Sequence, residues 1–122
     1  MLTLVVRLIW IVGFLVGTTT HVIDLVVGGA DVYAGFPWGV RAYWVSLTVL
    51  DPLAVVLTAF RLRAGVVLGV AIIVSDVIHN VVVFAVIGGL GVGGLVMQAA
   101  FGVVVVATAP LLWRAARRRQ PG

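Results

Sequence analysis

Four apolar runs, at about 4 to 27, 40 to 60, 64 to 87 and 94 to 113, leave this chain few ways to fold. Each has roughly the 20 residues that a helix needs to cross about 30 Å of hydrocarbon. In that medium every backbone amide must be satisfied within the segment, which selects helices. The expectation is an all-α fold, a four-helix transmembrane bundle forming one integral membrane domain over 1–122. Breakers separate the runs: GGADVYAGFPWG, the short basic RLR at 61–63, and GGLGVGG. The Gly-x-x-x-Gly spacings at 13/17 and 65/69 allow helices to approach closely, and within one chain more readily than between two. Trp10, Trp38, Trp44 and Trp113, with Tyr33 and Tyr43, mostly fall near the expected span ends, as an aromatic belt would.

The composition agrees: 63% of residues are hydrophobic, 10% are charged, and the mean hydropathy is +1.29. The absence of cysteine excludes disulfides, thiolate zinc sites and iron–sulfur clusters. All the basic residues are arginine and all the acids are aspartate; with so much Val, Ala and Gly, this points to a GC-rich bacterial genome. The pI of about 11.2 is not read as nucleic-acid binding, because the run Arg114-Ala-Ala-Arg-Arg-Arg119 directly follows an apolar segment. Such a run acts as an anchor touching anionic lipid. Arg7, Arg61, Arg63 and this run lie on one side of a four-span hairpin bundle, with Arg41 alone on the other. Both termini are therefore expected in the cytoplasm, with the protein in the cell (inner) membrane. No A-x-A-like site follows residues 1–20, so they are expected to remain as the first span rather than be cleaved.

Against this background the polar residues inside the runs stand out: His21 and Asp24, then Asp51, then Asp76, His79 and Asn80 in SDVIHN, then Gln98. At about 1.5 Å per residue, His21 lies about 25 Å along its helix and His79 about 22 Å, so the two histidines share a depth. Phase gives a common interior. Gly17, His21 and Asp24 share one helix face; Trp44, Thr48 and Asp51 share another; Asp76, His79 and Asn80 share a third. A charged group at mid-membrane costs about 2.5 to 3.5 kcal/mol on insertion scales, so such residues turn to a bundle interior or a watery cavity. A polar pocket opening towards the outer half of the bilayer is expected. Pro52 frees a carbonyl beside it, and DVYAGFPW at 31–38 is placed as either an interfacial loop or a lid.

Three chemistries fit such a pocket. Carboxylates and a histidine can exchange protons with an apolar ligand, as an isomerase or hydratase does, with His21, Asp24, Asp51 and Asp76 as the catalytic candidates. His79, Asn80, Trp44, Thr48 and Gln98 are then ligand-binding candidates. Alternatively His21, Asp24, Asp76 and His79 could ligate a metal, or His21 and His79 could be axial ligands of a haem. Buried polar pairs can also simply lock helices together, in a non-catalytic structural or assembly protein.

The segments H21-V-I-D24, D51-P-L-A with R-A-Y43-W44 before it, and S75-D-V-I-H-N-V-V-V-F84 resemble the EXPERA membrane fold, over roughly residues 14 to 87. That fold is shared by the emopamil-binding sterol isomerases and the sigma-2 receptor type of protein. The resemblance implies a lipid-like or amine ligand enclosed between the helices. It matches His21 and Asp24 to the first-span pair, Asp51 to the second-span acid and Asp76 to a polar position on the third. The reading reached from sequence is a multi-pass membrane protein that binds, and by acid/base chemistry could isomerise, a small lipid-like or amine ligand. Whether a bond is made or broken, the cofactor content and the oligomeric state stay open.

Overall fold

In the computed structural model, which describes residues 1–119, helix α1 (Leu2–Gly28) leads through a 3-10 turn (Gly29–Asp31) and a loop to α2 (Trp38–Phe60). Helices α3 (Leu62–Val86) and α4 (Val92–Arg118) follow. The chain is an all-α four-helix bundle in which each helix is long and apolar enough to cross a membrane. Each limit lies within two residues of its expected place except the last, where α4 runs on to Arg118. The extension has a physical cause: Ala and Arg are strong helix formers, and Arg117 and Arg118 fall in the last turn, where the helix dipole favours cations.

The expected basic loop at 61–63 shrinks to a single link residue, Arg61, because Leu62 is already buried as the first residue of α3. So tight a hairpin brings α2 and α3 backbone to backbone. A β-carbon on Gly65 would stand 2.6 Å from both Cα and N of Thr58. The free carbonyls at the end of α2 are met from α1: Arg7 Nε donates to Thr58 O at 2.8 Å, and Arg7 Nη2 donates to Ala59 O.

Neighbours in sequence pack most extensively, α1 on α2, α2 on α3 and α3 on α4; α1 and α4 touch far more sparingly. Their contacts include two side-chain pairs. Trp10, wholly buried, donates from Nε1 to Thr108 Oγ1 at 2.9 Å. Phe14 meets Phe101 edge to face at 5.3 Å, above a Gly13 that leaves room for the Phe101 ring. The aromatic-belt expectation is thus corrected for Trp10 and Trp44. Both are buried, and their indole N–H groups are used inside the bundle, whereas Trp38 is 82% exposed.

Candidate functional site

Beyond the Gly13–Phe101 contact, α1 and α4 part around a cavity of about 480 Å³. Gly17, Thr20 and His21 line one side, and Gly94, Met97 and Gln98 the other. Asp51 of α2 and Asp76 of α3 also line it, with side chains almost fully buried. Of the cavity's glycines, Gly94 faces open space, whereas Gly13 and Gly17 give up their side-chain room to the Phe101 ring and the Asp51 carboxylate. Val16 and Met97 in its lining are exposed, Met97 to 73%. No residue of the 29–37 segment lines it.

That segment is packed instead over Trp44. Tyr33 and Phe36 place their rings 4.9 and 4.8 Å from the Trp44 ring. Arg41 fastens the backbone by donating from Nε to Val32 O at 3.1 Å and from Nη2 to Ala30 O at 3.2 Å. Tyr33 holds a positive φ of 58°, a conformation uncommon for a bulky residue. This turn delivers its hydroxyl between two residues of α1. Tyr33 Oη donates to Asp24 Oδ2 at 2.8 Å and lies 3.2 Å from His21 Nδ1. Burial, and then the bond to the Asp24 carboxylate, raise the Tyr33 phenol above its ordinary pKa.

The hydrogen-bond pattern assigns the neutral His21 tautomer. Tyr33 has one proton, and Asp24 takes it. His21 Nδ1 must then carry the hydrogen that it shares with Tyr33 Oη, which leaves Nε2 with a lone pair. Nε2 lies 3.9 Å from Asp51 Oδ2. A basic nitrogen and a carboxyl thus face one another at the cavity wall, close enough to exchange a proton through a small movement or one water.

A second set of bonds ties the far wall. Gln98 Nε2 donates to Asp76 Oδ2, Asn80 Nδ2 donates to Gln98 Oε1 at 2.8 Å and to Asp76 Oδ1 at 3.3 Å, and Trp44 Nε1 donates to Asn80 Oδ1 at 2.8 Å. The chain of bonds joins α2, α3 and α4 and fixes the orientation of both amides.

Of the residues singled out in the sequence, His21, Asp51, Asp76 and Gln98 line the cavity, and Asn80 and Trp44 support it from behind. Asp24 is exposed and reaches His21 only through Tyr33. His79 is not part of the lining. Its ring lies 4.2 Å from that of Tyr43 and meets Trp44 edge-on at 5.7 Å. Among the described residues Thr48 Oγ1, Thr58 Oγ1 and His79 Nε2 are buried without a hydrogen-bond partner. Among these residues, too, no three His or Asp side chains gather as a metal site requires. Thr18, Thr19 and Thr20 bond to carbonyls of their own helix. Tyr33, Phe14 and Met97 are members that the sequence reading did not single out for the site, although DVYAGFPW was considered as a lid. The unusual backbone of Tyr33 leaves no sequence signal; Met97 was legible as the neighbour of Gln98.

Comparisons with family models, with curated proteins and with solved structures return no match.

Proposed function

We propose that the cavity binds a small lipid-like molecule carrying a basic amine, with the amine against Asp51 and Asp76 and the apolar part extending through the gap between α1 and α4. One observation carries this reading: two nearly buried carboxylates lie in a cavity whose remaining wall is largely apolar. An ionised carboxylate at such depth is costly, and a cationic group brought in by a ligand offsets that cost. The exposed apolar lining residues Val16 and Met97 suit a ligand that partitions into the bilayer. The resemblance of HVID, DPLA and SDVIHN to the EXPERA pattern supports the same ligand class. Acid/base isomerisation is the reaction this pocket would perform, with His21 Nε2 as proton acceptor and Asp51 as its exchange partner. The arginine asymmetry favours a cytoplasmic position for the Arg7 and Arg61 end.

The test uses purified protein in lipid nanodiscs, with N,N-dimethyldodecylamine as the probe and dodecanol as its uncharged control. The amine is expected to raise the unfolding temperature well beyond dodecanol, and Asp51→Asn/Asp76→Asn to abolish the difference. Equal shifts from the two compounds, or a difference that survives in the double variant, would overturn the reading.

A further inference from the structure

The opposite end of the bundle carries a second niche, unrelated to the ligand cavity. A hollow of about 340 Å³ is lined by Arg7 of α1, Arg61 of the link, Arg63 of α3 and Arg119 just past α4, together with Phe60 and Ala116. Four arginines from separate parts of the fold thus line one space. No side-chain carboxylate competes there: the chain's four acids are Asp24, Asp31, Asp51 and Asp76. The nearest along its helix, Asp51, lies nine residues before the end of α2, roughly 13 Å away.

Two of the four arginines are held in place. Arg7 is fixed by its bonds to Thr58 O and Ala59 O, which also neutralise the negative end of α2. Arg63 lies with its guanidinium 4.6 Å over the Trp113 ring. The first amides of α3, ahead of the bond from Gly65 N to Arg61 O, add positive potential on the same side. The hollow also has an apolar flank: Phe60 is 79% exposed and continues onto the lipid-facing surface.

We infer that this niche is a site for the phosphate of an anionic phospholipid, gripped by Arg61 and Arg119 against the fixed Arg7, with the acyl chains running down past Phe60. Planar guanidinium forks match phosphate oxygens geometrically. Such a niche selects one lipid molecule, which a diffuse polybasic tail does not.

Native mass spectrometry of protein released from mixed phosphatidylglycerol and phosphatidylcholine nanodiscs tests the inference. One phosphatidylglycerol is expected to be retained in preference to phosphatidylcholine. Arg61→Gln/Arg119→Gln is expected to reduce that retention about tenfold or more, whereas Arg114→Gln/Arg117→Gln, which removes the same charge outside the niche, changes it less than about threefold. A parallel arm adds inorganic phosphate to protein in pure phosphatidylcholine discs and follows the unfolding temperature. No stabilisation there assigns the site to the lipid, and saturable stabilisation lost in the niche variant assigns it to free phosphate and overturns the lipid assignment. Equal losses in the two variants, or no preference for phosphatidylglycerol, overturn the site altogether. Circular dichroism melts of both variants confirm that each remains folded.

Discussion

Gly17 and Asp51 meet so closely that a β-carbon on the glycine would stand 2.6 Å from Asp51 Oδ2. The carboxylate therefore occupies the space that an ordinary helix residue would need. The loss of that side chain is what lets α1 approach an acid on α2 and bring His21 to it one turn later.

Gly17→Ala is expected to displace the Asp51 carboxylate and to lower stability by about 1–3 kcal/mol, the usual cost of overpacking. The amine-dependent rise in unfolding temperature should shrink with it. An unchanged melt together with an unchanged amine response would mean that the carboxylate moves freely and that the contact has no consequence.

Two other glycines distinguish flexible from rigid neighbours. A β-carbon on Gly65 would meet backbone atoms of Thr58 and Leu57, which move only if α2 and α3 separate; one on Gly13 would meet the ring of Phe101. A ring at the edge of a cavity can swing away, and a paired helix backbone cannot. Gly65→Ala should therefore cost more than Gly13→Ala, by about 1 kcal/mol or more. Equilibrium unfolding in mixed micelles, with wild-type protein as reference, gives the order; the reverse order would contradict the packing described.

Tyr33 provides a pH signature. Its phenol is raised in the folded protein by burial and by the bond to Asp24, so between the ordinary phenol pKa of 10.0 and the folded value the native state binds the extra proton. Stability from this source is full below about pH 10 and falls as pH rises through the folded value, because there the unfolded chain binds fewer protons than the native one. Tyr33→Phe should remove that part of the alkaline decline. In an ultraviolet titration, the phenolate signal that the Tyr33→Phe variant lacks should be the one that ionises late; a missing signal with an ordinary midpoint would contradict the bond.

The four spans were legible because apolar length survives any tertiary detail: only the end of α4 lay well off, where helix-forming Ala115 and Ala116, with arginines favoured at the helix end, carry the helix past the apolar run. Helical phase also served for Asp51 and Asp76, which do face a common cavity, and Gln98, picked out only as a polar residue in the fourth run, joins them there. It failed to separate His21 from Asp24, which share a face of α1 although only His21 reaches the cavity lining. Depth matched His79 with His21, but depth carries no information on what fills the space beside a ring, and Tyr43 and Trp44 fill it. Tyr33 was hidden for a different reason: its reach depends on a left-handed turn at a residue type that rarely makes one.

The sparse seam between the first and last helices bears on how the bundle is made. Synthesis runs from the N-terminus, so α1, α2 and α3 exist before α4. Asp76 waits through that interval without the amide of Gln98, and the cavity has only one of its two facing walls. Arrival of α4 supplies both the donor and the second wall, so that a nascent chain cut short before residue 98 holds both acids without the amide that binds Asp76.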